Sequence, residues 1–476
     1  MRRSFLPLVA ISSLLFGAVA AHASSRPRYG GTVRVLLRHK LQSLDPLQES
    51  ADTADRDRIG NLLFECLTEI DAQGRTVPKL ATSWQVDAAR RVWQFNLRSA
   101  NFHDGSPLTA AAVAASMKAA NADWKVTFNG RQAFTLETPY PAPHLLEMLA
   151  LSRFSIIKRL PDGTLSGTGP YTLAEWRPGE RALLAANAEH WGGRPFPDNI
   201  DFRMGLSLRE HLMERSLGFD HAVELGVDQV RALEQSGQTL QISRPSDILV
   251  LVFLSTESAP RPGRRPIDPR VREALSKSIN RTAISNVLLQ RRGAPAGGLL
   301  PQWMTGYEFL FPSNQDMERA RELRAEAGPI LPFSIAYDAA DSLMKQIADR
   351  IAVDAREAGI TVQDVGELRI NTPSGRSGIN ADAILLRLPL SSLDPAAALF
   401  DLADGLALPS DDVSAIVRSA RPEDLVEAER KALADYRVVP VVHLSQVVWT
   451  NGSTHNWQQL PNGEWRLEQL WVEGTR

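Results

Sequence analysis

Cysteine is almost absent from the 476-residue sequence, which contains a single one, Cys66. One cysteine cannot form an intramolecular disulfide, so the fold depends on its buried core rather than on covalent cross-links. Leu62, Leu63, Phe64 and Leu67 flank Cys66 in the sequence. This apolar setting favours a buried, inert thiol over a reactive one.

An excess of either charge is also missing. The sequence has 53 Lys and Arg against 55 Asp and Glu, a formal net charge of -2. This balance does not indicate the broad basic surface of a nucleic-acid-binding protein. The nucleophile elbow, the phosphate-binding loop, the His-Glu-x-x-His motif and the dinucleotide fingerprint are all absent. We therefore expect no catalytic residues, no metal, no cofactor and no nucleic-acid partner.

The first residues have the pattern of an export signal. Arg2 and Arg3 precede an apolar run over residues 5–21, and the Ala-His-Ala that ends at Ala23 is typical of a signal-peptidase site. Residues 1–23 are thus predicted to be a signal peptide, used by either the Sec or the twin-arginine route. Because no cysteine follows the run, we expect a periplasmic protein without a lipid anchor.

The length predicts two or three domains, and the second half of the chain has an α/β pattern. Residues 248–254 form a continuous apolar run typical of a strand buried on both faces. A strand at 330–337, a helix at 342–358 and a strand at 360–365 form a predicted β-α-β unit, which requires parallel pairing. A further strand is expected at 383–388.

Proline, glycine and helix-capping residues predict where the chain crosses between lobes and where two helices begin. Residues 260–266 contain three prolines, one glycine and three arginines, and we expect the chain to cross between lobes there. Asp268 as N-cap and Pro269 at the first helical position predict the start of a helix. Thr109 is predicted to cap a helix over 110–120 in the same way.

Several segments are individually weak signals but occur in a characteristic order and spacing. They are Gly30-Gly31-Thr32, Val77–Trp84, Trp93–Arg98, Phe102–Ala110, Gly167–Tyr171, Trp191–Pro195, Asp268–Leu275 and Ile279–Arg281. Together they resemble the family of extracellular solute-binding proteins that serve peptide and nickel ABC importers.

The resemblance implies an α/β fold with mixed sheets, in which hinge strands join two lobes that enclose a solute. The first lobe would contain residues 24–52, 166–258 and 439–476. An extra subdomain, residues 53–165, would be inserted in it, and the second lobe would span 259–438.

One departure from the family pattern concerns the ligand. Peptide-binding members place an aspartate four residues before a proline, to pair with the amino terminus of the peptide. Ser391 occupies that place here, before Pro395, and the tryptophan that usually precedes it is absent. A hydroxyl cannot supply the charge-assisted hydrogen bonds of a carboxylate. Asp394 is an alternative partner for an ammonium group, although capping of a turn is the favoured interpretation.

Five residues are expected at the cleft: Asp45, Trp303, Arg387, Ser391 and Asp394. Arg387 interrupts an apolar strand, so either it needs a counter-charge or a ligand anion, or it lies on an exposed strand face. Trp303 has two interpretations, stacking on a ligand or anchoring a surface loop.

We therefore expect a monomeric receptor, not an enzyme. It would bind a small molecule or peptide and deliver it, by closure of its lobes, to the membrane permease of an ABC importer. Two alternatives remain open at this point. One is an exported hydrolase, which a nucleophile–base pair in the cleft would favour. The other is a solute receptor that signals to a membrane sensor without transport.

Overall fold

A computed structural model of the protein describes residues 27–48, 53–205, 222–235, 237–238, 240–257, 260–306, 312–339, 341–367 and 378–473. The predicted signal peptide, residues 1–23, lies outside these ranges. Among the described residues, no helix has the length and apolar character needed to cross a membrane.

Most strands are short, and two are much longer than the rest. In chain order they are β1 (Thr32–Leu37), β2 (Thr68–Ile70), β3 (Thr76–Pro78), β4 (Ala81–Val86), β5 (Val92–Leu97), β6 (Lys125–Phe128), β7 (Ala133–Glu137), β8 (Lys158–Arg159), β9 (Leu165–Ser166), β10 (Tyr171–Arg177), β11 (Arg181–Ala186), β12 (Asn199–Met204), β13 (Ala222–Glu224), β14 (Leu240–Phe253), β15 (Gly293–Pro295), β16 (Phe333–Asp338), β17 (Val362–Glu367), β18 (Ala383–Leu388), β19 (Val438–Thr450), β20 (Thr454–His455), β21 (Gln458–Gln459), β22 (Trp465–Arg466) and β23 (Trp471–Val472).

The helices are concentrated in the second half of the chain. They are α1 (Thr53–Leu63), α2 (Ala110–Ala120), α3 (Leu145–Met148), α4 (Val227–Gln235), α5 (Pro269–Ser278), α6 (Arg281–Ala283), α7 (Gln302–Thr305), α8 (Met317–Glu326), α9 (Ser342–Glu357), α10 (Pro395–Gly405), α11 (Ser410–Arg418) and α12 (Pro422–Leu433). A 3₁₀ turn occupies Ser152–Phe154, and a π-helical turn occupies Ile284–Leu288.

One mixed sheet contains eleven of the described strands. Its strand order is β10-β11-β12-β1-β13-β19-β14-β18-β16-β17, and β15 also pairs with β19. We call the part built on β1 and β10–β13, with the C-terminal segment 451–473, the first lobe. The part built on β16–β18 and α5–α12 is the second lobe. Each lobe has its own buried cluster, around Phe202 in the first and Ile335 in the second.

The two long strands connect the lobes. In β14, residues 240–242 pair with the part of β19 next to β13, whereas residues 248–253 lie between β19 and β18. The pairing register shifts on both sides of Pro245, which has no backbone N–H to donate to the sheet. The chain therefore crosses between the lobes near Pro245. The expected crossing at 260–266 is wrong, because that segment follows a strand that already belongs to the second lobe.

The predicted β-α-β unit is confirmed. β16 and β17 pair in parallel, with Ile335 opposite Asp364, and α9 connects them. The predicted strand at 383–388 is β18, parallel to β16. On α9, Met344, Ile347 and Ile351 are buried, as expected for a core-facing stripe.

The predicted helix ends are also confirmed. Thr109 accepts a hydrogen bond from Ala112 N at the start of α2, and Asp268 accepts one from Arg270 N at the start of α5. Both caps satisfy a backbone N–H that has no partner within its helix.

Residues 81–137 form a second, smaller sheet with strand order β4-β5-β7-β6. Its core contains Phe95 stacked on Phe134, with ring centroids 5.0 Å apart. The segment after it contacts the second lobe directly. Phe154 lies 6.3 Å from Phe400 between ring centroids, and Arg153 forms a 2.9 Å salt bridge with Asp404. Residues Arg153 and Phe154 therefore connect the part of the chain that contains the smaller sheet to α10 of the second lobe.

Candidate functional site

A cleft lies between α1 and the C-terminal segment on one side and the loop 389–393, which follows β18, on the other. It has two adjoining compartments that enclose about 510 and 500 Å³, including the space open to solvent. Asn61, Ala150, Ser391 and Glu464 line both. Loops after the carboxyl ends of strands are the usual binding position in open α/β sheets.

Helix α1 provides one wall of the cleft. Ile59, Leu62 and Leu63 are buried in the first lobe. A second stripe at helical spacing, Ala54, Asp57, Arg58 and Asn61, lines the cavity of 510 Å³, which we call the Asp57 compartment.

A close contact fixes the end of α1. A Cβ atom on Gly169 would lie 2.4 Å from the carbonyl oxygen of Leu62, so a larger residue cannot occupy this position. The loop through Gly169 therefore packs directly on the last turn of α1.

Arg58 is the one basic residue among the described residues that line the Asp57 compartment. Its guanidinium donates to Asp55 Oδ1 at 2.5 Å and to Gln446 Oε1 at 2.5 Å. It also lies 3.8 Å from the centre of the Trp465 ring. These contacts hold the Arg58 charge against the wall of the first lobe.

Asp57 has weaker contacts. Arg56 Nε and Nη2 each lie 3.3 Å from its Oδ1 atom, near the upper limit for a hydrogen bond. Burial raises the pKa of the Asp57 carboxyl above its ordinary value, an effect that Arg56 and a hydrogen bond from the Ser152 side chain partly offset. The carboxyl of Asp401, on α10 of the second lobe, raises the pKa of Asp57 further. Burial likewise raises the pKa of Asp401.

Ser391 faces Asp57 from the second lobe. Its hydroxyl oxygen is buried, and it has no hydrogen-bond partner in the part of the chain that the structure describes. Ser391 is close enough to Asp401 to lower the pKa of that carboxyl, but the two groups do not meet in hydrogen-bonding geometry. Because buried polar groups in proteins usually have a hydrogen-bond partner, this hydroxyl is suited to contact a bound molecule.

The cavity of 500 Å³, which we call the Lys79 compartment, has a different arrangement of charge. Lys79 Nζ lies 3.0 Å from Glu69 Oε2. Arg466 forms a salt bridge with the same glutamate, lies 3.1 Å from Glu464 Oε1 and donates to the carbonyl of Ile70 at 2.8 Å. Each of these cations therefore has a carboxylate partner.

The pKa shifts follow from these pairs. Burial would lower the pKa of Lys79, but Glu69 and Glu65 outweigh burial and raise it. Burial would raise the pKa of Glu69, but Lys79 and Arg466 outweigh it and lower that pKa. The pairs that Lys79 and Arg466 form with Glu69 stay ionised at neutral pH as a result, whereas burial raises the pKa of Glu464.

Cys66 also lines the Lys79 compartment. Its thiol donates to Leu151 O, with sulfur and oxygen 3.3 Å apart, and burial raises its pKa to about 11. Since the thiolate is the reactive form, this thiol is inert at neutral pH, as the sequence indicates. Within the described ranges, no His, Cys, Asp and Glu side chains form a group of three or more that could hold a metal ion.

Of the five residues expected at the cleft, Ser391 lines it. Arg387 lies in β18 and has the counter-charge that its apolar strand requires. Its guanidinium forms a salt bridge of 2.5 Å with Asp247 in β14. Gln446 Nε2 donates to the same carboxylate at 2.7 Å, and Gln446 also accepts from Arg58. Arg387 is therefore linked to the cleft through the two long strands.

The other three expected residues have structural contacts. Asp394 caps α10 by accepting a hydrogen bond from Ala397 N at 2.8 Å, and it lies 3.7 Å from His144. Trp303 Nε1 donates to Pro245 O at 2.8 Å, which anchors its loop at the crossing between the lobes. Asp45 is buried and forms a 2.7 Å salt bridge with Arg159.

Sequence reasoning missed most of the lining. Asp57 and Asn61 have the spacing of one helix face, opposite the apolar stripe of α1, and this spacing was a usable signal. Glu464, Arg466 and Glu468 alternate with the buried Trp465 and Leu467, which is the pattern of a segment with one exposed face. The approach of these two segments to loop 389–393 has no local signal in the sequence.

Comparisons with known proteins support the resemblance. Residues 75–402 match the model of the middle part of the bacterial extracellular solute-binding proteins, family 5. The nickel-binding periplasmic protein of Escherichia coli K12 is 24% identical over 371 residues, which cover 68% of this chain and 70% of that protein. The glutathione-binding protein GsiB of Escherichia coli O1:K1 is 24% identical over 401 residues, covering 77% of this chain and 75% of that protein.

Among solved structures, the binding protein AgaA of A. tumefaciens R10 in complex with agropinic acid is similar to this chain. Its TM-score is 0.78 at 18% identity, and the match covers 94% of this chain and 99% of that chain. At this identity the likeness shows the fold, which is that of a two-lobed periplasmic binding protein.

Proposed function

Because the chain belongs to family 5 of the bacterial extracellular solute-binding proteins, we propose that it is a periplasmic receptor that binds a small polar solute between its lobes and delivers it to an ABC importer. One observation carries this proposal. The Asp57 compartment is lined by both lobes and lies beside the two long strands that join them. A solute that contacts both walls favours closure, because its contacts to the second wall exist only in the closed state.

The finer parts of the proposal follow from the sequence. Residues 1–23 direct export by the Sec or the twin-arginine route, and the mature protein acts as a monomer without a lipid anchor. Its partner is the membrane permease of the importer. We propose a receptor rather than an enzyme, in which residues 53–165 form a subdomain of the first lobe.

The relatives do not fix the ligand, since their names cover nickel, glutathione and agropinic acid. Ser391 stands where peptide-binding members have an aspartate, so we propose that an ordinary free peptide is not the main solute. Ser391 contacts the solute directly, and Arg387 acts through the long strands.

The proposal is tested with mature protein and the low-mass fraction of a periplasmic extract from the native host. A solute present at about 100 times its dissociation constant raises the free energy of unfolding by roughly 2.7 kcal/mol, which a thermal-shift assay detects. Solution scattering on the same samples should give a smaller radius of gyration with the extract than without it. An unchanged melting temperature and an unchanged radius would contradict the receptor function.

Transport and sensing differ in their membrane partner. Deletion of the chain from its host should abolish uptake of the labelled solute if the importer is the partner. Normal uptake together with a lost transcriptional response would instead support the membrane-sensor alternative.

A further inference from the structure

The segment 152–156 is fastened to the first lobe. Ile156 N donates to Glu65 O at 2.9 Å. The buried carboxylate of Glu65 in turn accepts from Thr168 Oγ1 at 2.8 Å and from Trp191 Nε1 at 2.9 Å. Thr168 lies directly before β10, and Trp191 lies between β11 and β12, so both belong to the sheet region of the first lobe. These hydrogen bonds hold the segment in a fixed position relative to that lobe.

The same segment packs on α10 of the second lobe. The rings of Phe154 and Phe400 are stacked, with centroids 6.3 Å apart and planes inclined by 23°. Arg153 lies 5.6 and 5.5 Å from the centres of these rings and forms its 2.9 Å salt bridge with Asp404. We call these four residues the Phe154 contact. Phe154 is 1% and Phe400 7% exposed, and both belong to one continuous buried cluster that joins the smaller sheet to α10.

The Phe154 contact is not imposed by the connection of the chain. After Phe154 the chain passes through the sheet of the first lobe before β14 carries it across, and Phe400 follows only after β18. Among the described elements, β14 and β19 alone run through both lobes. A rotation that opens the lobes about these strands therefore has to separate Phe400 from Phe154.

The Phe154 contact stands beside the Asp57 compartment. Ser152, directly before Arg153 in the chain, lines that compartment. Asp401, directly after Phe400, is close enough to raise the pKa of Asp57. The contact therefore closes one side of the compartment, and separating its two faces would open that side to solvent.

Separation would also bring two buried aromatic rings into water. The free energy of this exposure is unfavourable and roughly proportional to the apolar area, and a stacked pair contributes beyond its area. The salt bridge adds less, because the side chain of Asp404 is 62% exposed and its charge is screened by solvent. The chain itself therefore favours the closed arrangement, mainly through the rings.

We propose that the Phe154 contact is a latch that holds the lobes together over the Asp57 compartment before a solute is bound. The inference rests on the two-lobed receptor proposed above and adds to it a bias toward closure that is independent of the solute. The solute-free protein is then a mixture of open and closed molecules in which the latch favours the closed form, and a solute completes the closure. Because the binding-competent state is already populated, the solute binds more tightly than it would without the latch.

The experiment uses mature protein that has been unfolded and refolded to remove any bound solute. Lys118→Cys on α2 and Glu427→Cys on α12 place fluorophores at exposed positions on the two sides of the latch, for single-molecule energy transfer. Cys66 is buried, so it does not compete for the label in the folded protein. The radius of gyration of the unlabelled protein is measured in parallel by solution scattering.

Two latch variants are compared with two matched controls. Phe400→Ala removes one ring of the latch, and Phe333→Ala removes an equally buried ring from the core inside the second lobe. Asp404→Asn removes the partner of Arg153, and Asp349→Asn breaks an exposed salt bridge within α9.

We expect Phe400→Ala to raise the ratio of open to closed molecules roughly ten- to a hundred-fold and to enlarge the radius of gyration. Asp404→Asn should raise the ratio about two-fold. Both controls should leave it unchanged, although Phe333→Ala should lower the melting temperature.

A ratio that Phe400→Ala leaves unchanged overturns the inference. An equal rise with Phe333→Ala also overturns it, because the effect would then be a general loss of packing. If Phe400→Ala does not fold, Phe400→Leu removes the ring and keeps an apolar side chain; it should raise the ratio about three-fold, and no rise overturns the inference. These results leave the receptor function standing, since the periplasmic extract tests it separately. Opening by Phe400→Ala together with no response to the extract would support the latch and reject the receptor.

Discussion

The Asp57 and Lys79 compartments adjoin and share four residues, yet their charged groups are paired in different ways. In the Lys79 compartment the cations Lys79 and Arg466 contact the carboxylates of Glu69 and Glu464 within the wall. In the Asp57 compartment the guanidinium of Arg58 is held by Asp55 and Gln446, and Asp57 has Arg56, 3.3 Å away, and Ser152 as its partners. The comparison shows that the number of charges in a cleft says little about its ligand. What matters is which charges already have partners.

The difference has an energetic consequence. Removing one member of a buried ion pair is strongly destabilising, because the remaining charge stays buried without a partner. Removing a buried carboxyl that has no strong partner should instead raise the free energy of unfolding, because the cost of burying its charge is removed with it. The four predictions below test this contrast, and each is measured on ligand-free protein.

The largest expected effect is at Arg466. Arg466→Met leaves Glu69 and Glu464 without their shared cation and should lower the free energy of unfolding by about 3 kcal/mol in urea titration. Arg75→Met is the control, since Arg75 forms an exposed salt bridge with Asp71, and it should change stability by less than about 0.5 kcal/mol. Equal, small effects of the two substitutions would show that the ion pairs of the Lys79 compartment contribute nothing to the free energy of unfolding.

The next effect is at Glu69. Glu69→Gln removes a carboxylate that accepts from two cations and should destabilise the protein by about 1.5 kcal/mol at pH 7. Lys79 and Arg466 lower the folded-state pKa of Glu69 below its ordinary value of 4.5, so its contribution is present above pH 4.5. That contribution disappears as the pH falls through the folded pKa. The difference between wild type and variant should therefore shrink in acid, and a constant difference from pH 3 to pH 7 would contradict the pairing.

Asp57→Asn should have a smaller effect of opposite sign. Burial raises the folded-state pKa of Asp57 above its ordinary value of 3.8, so ionisation of this group opposes folding increasingly as the pH rises above 3.8, and the full cost is present above the folded pKa. The variant should melt about 1–3 °C higher than the wild type at pH 7, and the gain should vanish below pH 3.8. A lower melting temperature at pH 7 would show that Asp57 has a strong partner.

The smallest effect is at Ser391. Its buried hydroxyl has no hydrogen-bond partner among the described residues, so Ser391→Ala should change the free energy of unfolding by less than about 0.5 kcal/mol. Ser116 is the matched control, because its buried hydroxyl donates to Ile157 O and accepts from Ile157 N, both at 3.0 Å. Ser116→Ala should cost about 1–2 kcal/mol in the same assay. A loss at Ser391 as large as that at Ser116 would mean that its hydroxyl is satisfied within the protein.

Elements with a local cause were predictable from the sequence. The caps at Thr109 and Asp268 and the apolar stripe of α9 depend on residues a few positions apart, and the structure has them where the pattern predicts. The crossing was not predictable in this way. The run 248–254 is apolar whichever lobe contains it, and the pairing of β14 with β18 decides its place.

The same limit applies to the cleft. The apolar strand around Arg387 indicated that a counter-charge was needed, but the partner, Asp247, lies 140 residues earlier in the chain. Ser391 was found because the resemblance to the family located it. Asp57 had a signal in the helical spacing with Asn61, whereas nothing in the sequence shows that α1 faces loop 389–393.

The position of β13 has a consequence for the order in which the chain folds. The β-α-β unit of the second lobe is complete at residue 388, together with β18. The sheet of the first lobe begins with β1 at Thr32, but its strand β13 pairs with β19, and Val472 packs against Gly31. Contacts between such distant residues form slowly, because the long loop between them must close first. As the chain emerges from its amino terminus, the lobe that is started first is therefore the last to be completed.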